Sequence, residues 1–270
     1  MTPKSNIHTH TLFADGHNTA EEMVRAAIRL GFHTLGFSEH GHADYDGYSM
    51  ALDREPAYRA EINRLKSAFE DEIHLLLGCE HDYFSPADLS PYDFVIESVH
   101  FIRAMGEYIV LDESRESFLN AVRTHFSGDP YALCREYFRT VAESCENTDA
   151  QVIGHMELVM KFNERRDIFD DADPRYLRYA REAVACAAKS GRLVEINTGA
   201  VSRGYRTEPY PGRALLTQLC EQGGRIILSS DCHDARWIDF GFEQAAELAR
   251  SCGFRSAWMW RGTEIVEYGL

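Results

Sequence analysis

The sequence lacks the features that mark membrane-spanning, secreted or disulfide-bonded proteins. None of its apolar runs approaches the roughly 20 residues that a spanning helix needs, and no apolar segment with a small-residue cleavage site stands near its start. Its seven cysteines form no C-x-x-C pair, and their odd number favours reduced thiols over a disulfide framework. We therefore expect a cytoplasmic protein without a membrane partner.

Basic residues are also scarce. The chain has 28 Lys plus Arg against 43 Asp plus Glu, a formal charge of -15. Nucleic-acid surfaces depend on basic patches that neutralise phosphates, so a nucleic acid polymer is not an expected partner. A small anionic substrate would be repelled as well, unless bound cations reversed the field locally.

No repeat, low-complexity tract or flexible linker interrupts the 270 residues, and 44% of them are hydrophobic. Nothing therefore marks a domain boundary, and we expect a single domain over residues 1–270 with a sizeable core. The sequence does not indicate an oligomeric state.

Short apolar segments alternate with amphipathic stretches along the chain. Strands are predicted at Ser5 to His8, His33 to Ser38, Ile73 to Glu80, Asp93 to His100, Gln151 to His155, Leu193 to Asn197 and Arg225 to Ser230. Helices are predicted from a capping box at Thr19 and Glu22 to Gly31, from Asp173-Pro174 to Gly191, between Gly212 and Gly223, between Gly241 and Gly253, and as an inserted pair over 114–147. About seven strand–helix units predict an α/β fold with a closed or nearly closed parallel barrel.

Each predicted strand ends on side chains that can bind a metal ion. In a parallel barrel these ends meet at one rim, where active sites are built. His8 and His10 project on the same side of an extended segment and can chelate one ion. The candidate ligands are His8, His10, Asp15, His40, Glu80, His100, His155, Asp231 and His233.

Nine ligands are too many for one tetrahedral ion, so two or three divalent ions are implied. Imidazole and carboxylate donors suit Zn, Mn or Fe better than calcium. Glu80 could bridge two ions, and three ions against the carboxylates of Asp15, Glu80 and Asp231 would leave a positive pocket. Water bound there would ionise near neutrality and attack phosphorus, which predicts phosphoester hydrolysis.

Some assignments stay open on the residues alone. Asp15, in Ala-Asp-Gly, could simply be a turn residue. Either Glu195 or Asn197, or neither, faces the site. His42 could be a loop residue or the proton donor to the leaving alkoxide.

The motifs as a set resemble the polymerase and histidinol phosphatase (PHP) superfamily. They read Asn-Ile-His8-Thr-His10-Thr, Ser-Glu-His40, Gly-Cys-Glu80, Ser-Val-His100, Gly-His155 and Ser-Asp231-Cys-His233. Glu195-Ile-Asn-Thr-Gly, Arg203-Gly-Tyr, Tyr210-Pro and Phe240-Gly-Phe make the chain most similar to stand-alone histidinol-phosphate phosphatases. Glu39 stands where the family usually has Asp.

The resemblance implies a distorted (β/α)7 TIM-like barrel with a three-metal centre at the carboxyl-terminal rim of its strands. By analogy the first ion would be held by His8, His10, Glu80 and Asp231, the second by Glu80, His100 and His155, and the third by Asp15, His40 and His233. The residues expected to act in catalysis are His42, Glu80 and Asp231.

Phosphate also requires cationic donors besides metal ions. Arg203, in the loop after the sixth strand, is the first candidate because a guanidinium fork matches phosphate oxygens, and Lys161 is the second. Both could instead be ordinary surface charges.

The leading hypothesis is a phosphoric monoester hydrolase that converts L-histidinol phosphate to L-histidinol and phosphate in histidine biosynthesis. A nucleotide or short oligonucleotide phosphoesterase of the same superfamily is the enzymatic alternative. A degenerate barrel serving as an interaction module is the non-enzymatic one, and its expected sign would be missing ligands.

Overall fold

A computed structural model describes residues 3–270 of the protein and places alternating strands and helices around a curled sheet. The strands are β1 Ser5–Asn6, β2 Thr34–His40, β3 His74–Asp82, β4 Phe94–Ser98, β5 Phe101–Ala104, β6 Glu107–Val110, β7 Val152–Ile153, β8 Leu193–Asn197, β9 Arg225–Ser229, β10 Ser256–Arg261 and β11 Glu264–Gly269. The α-helices are α1 Ala20–Arg29, α2 Glu55–Ala68, α3 Arg115–His125, α4 Pro130–Asn147, α5 Pro174–Ser190, α6 Gly199–Ser202, α7 Arg213–Glu221 and α8 Phe242–Ser251.

The sheet order follows the chain. Within residues 3–270, nine strands pair in the order β1-β2-β3-β4-β7-β8-β9-β10-β11, and every pair is parallel except the last. The seven strands from β1 to β9 in this order are the seven predicted from the sequence. The α/β class and the distorted TIM-like barrel are confirmed.

The two ends of this seven-strand series meet at the carboxyl-terminal rim. A parallel bridge pairs Thr9 with Cys232, and the His10 amide donates to the Cys232 carbonyl at 3.0 Å. Beside β9, strand β10 adds through the Trp258–Ile227 pair. The ring is therefore closed at the rim where the candidate ligands lie.

Apolar side chains fill the interior below that rim. The cluster consists of Ile7, Leu76, Phe94, Ile96, Val152, Leu193, Ile227 and Trp260, all buried. Gly36 and Gly78 admit the Phe94 ring, since a Cβ on them would lie only 2.8 Å and 2.2 Å from its atom Cζ. The packed floor leaves the polar residues at the mouth.

The helix predictions are confirmed in place and type. Thr19 and Glu22 form the expected capping box, with the Thr19 amide 2.8 Å from Glu22 Oε2. The inserted pair is α3 and α4, and α4 packs against α5. Across residues 3–270, the helices are too short or too polar to cross a bilayer.

Two hairpins went unpredicted. Strands β5 and β6 form a separate two-stranded sheet directly after His100, and β10 with β11 extends the main sheet at the C-terminal end. Strands β1 and β7 have two residues each, shorter than predicted.

Candidate metal centre

All nine predicted ligands converge at the carboxyl-terminal rim of the barrel. Seven of them line a cleft of about 240 Å³, and the other two, His8 and His10, are fully buried behind it. The strand ends hold them in place: His40 ends β2, Glu80 lies in β3, and His100 follows β4. The convergence arises because parallel strands present their carboxyl ends on one side.

Glu80 is the centre of the arrangement. Its carboxylate is buried and meets five imidazoles through nitrogen atoms 2.9–3.4 Å away: His8, His10 and His40 at Oε2, and His100 and His155 at Oε1. A carboxylate with imidazole nitrogens at each oxygen could serve as a ligand to more than one ion.

Asp15 organises a second group at the open side. Its Oδ2 lies 3.1 Å from His233 Nε2, and its Oδ1 lies 3.8 Å from His40 Nε2 and 3.7 Å from His10 Nδ1. Donor atoms of these four residues all lie within 4.8 Å of one another. Asp15 is therefore more than a turn residue, because its side chain contacts the histidine cluster.

Several buried polar atoms of the cluster have no hydrogen-bond partner. They are His8 Nε2, both ring nitrogens of His10, Asp15 Oδ1, Glu80 Oε2 and His155 Nδ1. Unpaired buried polar atoms are costly unless something satisfies them. Imidazole nitrogens and carboxylate oxygens are suitable donors for Zn, Mn or Fe, so the residues fit a divalent-metal centre.

The electrostatics favour anionic carboxylates and one neutral imidazole. Burial opposes ionisation of Glu80, but the nearby imidazoles of His8, His40 and His100 hold its pKa well below the usual value. Burial, followed by the proximity of His233 and His40, lowers the pKa of His10 to about 3. His10 is therefore neutral at pH 7 and has a free lone pair for an ion.

The relation of Glu195 and Asn197 to the site is now clear. Both lie on the inner side of β8 and are fully buried. Glu195 Oε1 lies 2.7 Å from His8 Nδ1, and Asn197 Nδ2 donates to Glu195 Oε2 at 3.1 Å. Glu195 faces the ligands, and Asn197 supports Glu195.

Comparison with known proteins agrees with this geometry. The family model described as the PHP domain matches residues 6–199, more than half of the chain. The chain belongs to the PHP domain family.

Individual relatives of this PHP chain carry phosphatase names. It is 27% identical to the histidinol-phosphatase of Lactococcus lactis, over 97% of this chain and 96% of that protein. It is also 27% identical to a Schizosaccharomyces pombe protein named a probable histidinol-phosphatase, over 96% of this chain and 89% of that protein. The structure of the L. lactis histidinol phosphate phosphatase with Zn, L-histidinol and phosphate matches with a TM-score of 0.71 at 23% identity, covering 97% of this chain and 98% of that one. The fold is shared.

Arg203 lies where the PHP cleft meets the metal ligands. Its Nη2 atom lies 3.0 Å from Asp231 Oδ2, and Nη1 lies 2.9 Å from the Asp231 carbonyl and 3.0 Å from His233 Nδ1. Gly199 makes room for this contact, since a Cβ there would lie 2.9 Å from Arg203 Nη2. Arg203 is thus anchored beside the cluster and lines the cleft.

Lys161 also lines the cleft, but its ammonium group is occupied. It donates to the Asp112 carbonyl at 2.7 Å and to Asp112 Oδ2 at 3.1 Å. Burial opposes ionisation of Asp112, and Lys161 nevertheless lowers its pKa. Lys161, like Arg203, thus lines the cleft as one partner of an ion pair, and its role in binding phosphate stays a prediction.

The prediction that His42 protonates the leaving group is not supported by its position. His42 is not among the residues that line the cleft. Its Nδ1 lies 3.2 Å from the Met50 carbonyl, and its Nε2 lies 3.1 Å from Asp44 Oδ1. Its role as the proton donor therefore stays a prediction, although Asp46 and Tyr48 of the same loop do line the cleft.

The cleft is also lined by residues that the sequence analysis did not select. They are Asp46, Tyr48, Phe101, Asp112, Glu113, Leu158 and Tyr205. Most lie in loops or in the unpredicted hairpin, where no strand pattern indicates which side chains face inward. This part of the lining is acidic and aromatic.

Proposed function

We propose that this PHP chain is a metal-dependent phosphomonoesterase that hydrolyses L-histidinol phosphate to L-histidinol and phosphate. The observation that carries the proposal is the convergence of nine potential ligands, with Glu80 at their centre, at a cleft that other carboxylates also line. The histidinol-phosphatase names of relatives matched over nearly the whole chain support the substrate.

The ligands are assigned to three ions as the motifs imply. His8, His10, Glu80 and Asp231 would hold the first, Glu80, His100 and His155 the second, and Asp15, His40 and His233 the third. The donor groups His8–His10–Asp231 and His10–Asp15–His40–His233 support the first and third sets, and His40 also lies close to Glu80 and His100. Divalent ions held in this way neutralise phosphate oxygens and lower the pKa of water.

The protein's own residues select and orient the substrate. Arg203, held by Asp231, presents its guanidinium at the inner end of the cleft, where a phosphate group would lie. Asp46 and Glu113, which also line the cleft, offer carboxylates to the ammonium and imidazole groups of histidinol phosphate. The cleft therefore suits a small phosphomonoester with a cationic tail.

The carboxylates that line the cleft disfavour the nucleotide and oligonucleotide alternative. A second phosphate in the cleft would meet the carboxylates of Asp46 and Glu113. Like charges placed together oppose binding. The module alternative is also disfavoured, because all nine ligands are present and gathered.

Phosphate release from purified protein loaded with Zn or Mn tests the proposal. L-Histidinol phosphate should have a higher kcat/KM than other amino-alcohol phosphates, sugar phosphates and nucleoside monophosphates in the same assay. Equal or faster release from nucleotides would reject histidinol phosphate as the substrate and favour the alternative.

A further inference from the structure

Glu195 is a fully buried carboxylate surrounded by hydrogen-bond donors. Its Oε1 lies 2.7 Å from His8 Nδ1, and its Oε2 accepts from the His155 amide and from Asn197 Nδ2, each at 3.1 Å. The His155 amide and Asn197 Nδ2 can only donate to it, and His8 Nδ1 donates in the tautomer that carries its proton there. In that tautomer, all three donors are satisfied only by a side chain at position 195 that has hydrogen-bond acceptors and no donor.

The contact with His8 decides which ring nitrogen is available to an ion. When Nδ1–H donates to Glu195, the metal-accessible nitrogen is Nε2, which lies 3.2 Å from Glu80 Oε2 and 3.7 Å from Asp231 Oδ1. Nε2 is buried and has no hydrogen-bond partner. A carboxylate on the rear nitrogen of a ligating histidine fixes the ring and raises its basicity.

The contact with His155 joins a second ligand to the same carboxylate. Strand β7 ends at Ile153, so the backbone at His155 is outside the sheet ladder, and its amide donates to Glu195 instead. His155 Nε2 in turn lies 2.9 Å from Glu80 Oε1. Glu195, on β8, thus contacts the His8 side chain just after β1 and the His155 backbone just after β7.

We propose that Glu195 is a positioning residue that couples the first and second ion sites. It orients the His8 ring for one ion and fixes the backbone that carries His155 for the next. The inference rests on the ligand assignment made above, and it concerns metal affinity, independently of which phosphate ester is hydrolysed.

The test compares two buried carboxylate-to-amide substitutions in the full chain. Glu195→Gln keeps the size of the side chain but turns an NH2 group toward a donor. Glu39→Gln is the matched control, since Glu39 is also fully buried beside a ligand but hydrogen-bonds to Thr11 Oγ1 instead of an imidazole. Zinc affinity is measured by competition with a chromophoric chelator, and zinc content by elemental analysis.

Glu195→Gln should bind zinc about 10- to 100-fold more weakly, the effect typical of losing such a support. Glu39→Gln should bind as the wild type does. Wild-type affinity in Glu195→Gln, or an equal loss in both variants, would overturn the proposal.

Glu195→Asp and an NMR measurement distinguish loss of the positioning role from a general defect in folding. The aspartate retains an all-acceptor group and should restore part of the affinity, whereas an affinity no better than that of Glu195→Gln would count against the proposal. In zinc-loaded wild type, NMR should detect an exchange-protected proton on His8 Nδ1. Its absence would overturn the assigned tautomer even if every variant misfolded.

The outcomes also separate this inference from the proposed function. If the wild type binds no zinc, the ligand assignment itself fails. If it binds zinc but does not hydrolyse histidinol phosphate, the substrate proposal fails while the role of Glu195 can still be measured.

Discussion

Two sets of side chains give the cleft its chemistry. Around Glu80 and Asp15, imidazole nitrogens face carboxylate oxygens at 2.9–3.8 Å, and several buried atoms have no hydrogen-bond partner. Asp46 and Glu113 also line the cleft, outside the predicted ligand set. The first set suits cations that bind phosphate, and the second suits a positively charged organic group.

Replacing His100 with alanine should remove a ligand of the second ion. Its Nε2 lies 3.3 Å from Glu80 Oε1. Metal content should fall, and kcat/KM should decrease by at least roughly 10- to 100-fold, the loss that follows removal of even a supporting group. Elemental analysis and phosphate release check this, with His74→Ala, an exposed position at the start of β3, as the control. Full activity in His100→Ala would refute the ligand assignment.

Replacing Glu113 with glutamine should weaken binding of a cationic substrate selectively. An exposed charge pair contributes about 0.4–1 kcal/mol, so KM for histidinol phosphate should rise about two- to fivefold. With p-nitrophenyl phosphate, which has no cationic group, KM should not change. A parallel rise for both substrates would show that Glu113 does not recognise the cationic end.

Among the secondary-structure elements, β3 and β4 show how closely the barrel is packed. Gly78 in β3 faces the Phe94 ring, and a Cβ there would lie 2.2 Å from ring atom Cζ. This contact forms the floor beneath Glu80, which lies two residues further along β3.

Gly78→Ala should therefore destabilise the protein by about 1–3 kcal/mol through overpacking. Adding Phe94→Leu should recover part of that loss, because the smaller side chain makes room, and contacting positions couple by about 0.5–3 kcal/mol. Chemical denaturation of both single variants and the double variant measures the coupling. Gly269→Ala, with open space around it, is the control. Additive losses would show that the cost of Gly78→Ala does not arise from the Phe94 ring.

The start of α5 provides a pH-dependent contribution to stability. Asp173 accepts from the Arg175 amide, and hydrogen bonds from Arg175 lower its pKa to about 2. Since the unfolded pKa is about 3.9, the ionised form stabilises the folded state above that pH, and the stabilisation is lost as pH falls toward 2.

Asp173→Asn should therefore be less stable than the wild type near neutrality, with the difference shrinking as pH falls below about 4. Asparagine can still cap the helix, so the substitution isolates the charge. Denaturation at several pH values measures the difference, and Asp149→Asn, at an exposed position, is the control. A difference independent of pH would mean that the charge contributes nothing.

The elements differ in how well the sequence predicts them. The seven parallel strands were predictable because each is a short apolar segment between amphipathic stretches. Helix α1 was predictable because Thr19 and Glu22 form a capping box. The β10–β11 hairpin could also have been predicted, because Gly262 and Thr263 form a two-residue loop between two strand-length segments. The sequence could not show whether Glu195 or Asn197 contacts the ligands, or which loop carboxylates line the cleft, because both depend on how distant segments meet.

The molecule as a whole has a negative charge of -15 and an interior centre suited to cations. Ions that bind the folded state and not the unfolded chain stabilise it by mass action, about 2.7 kcal/mol at a hundred times Kd. Stripping the protein with a chelator should lower Tm by several degrees, and adding Zn or Mn should restore it. Calorimetry checks this, and the same treatment should shift His100→Ala less. An unchanged Tm in the wild type would contradict a folded-state metal centre.

The bridge between Thr9 and Cys232 also has a consequence for the order of events while the protein is being synthesised. Segments more than two hundred residues apart form the two sides of the same ligand group. While the ribosome is still making the chain, His8 and His10 have emerged without the Asp231 and His233 that complete their surroundings. Loading with metal must then follow translation of nearly the entire polypeptide, and a nascent chain stalled before that point would carry an incomplete set of donors.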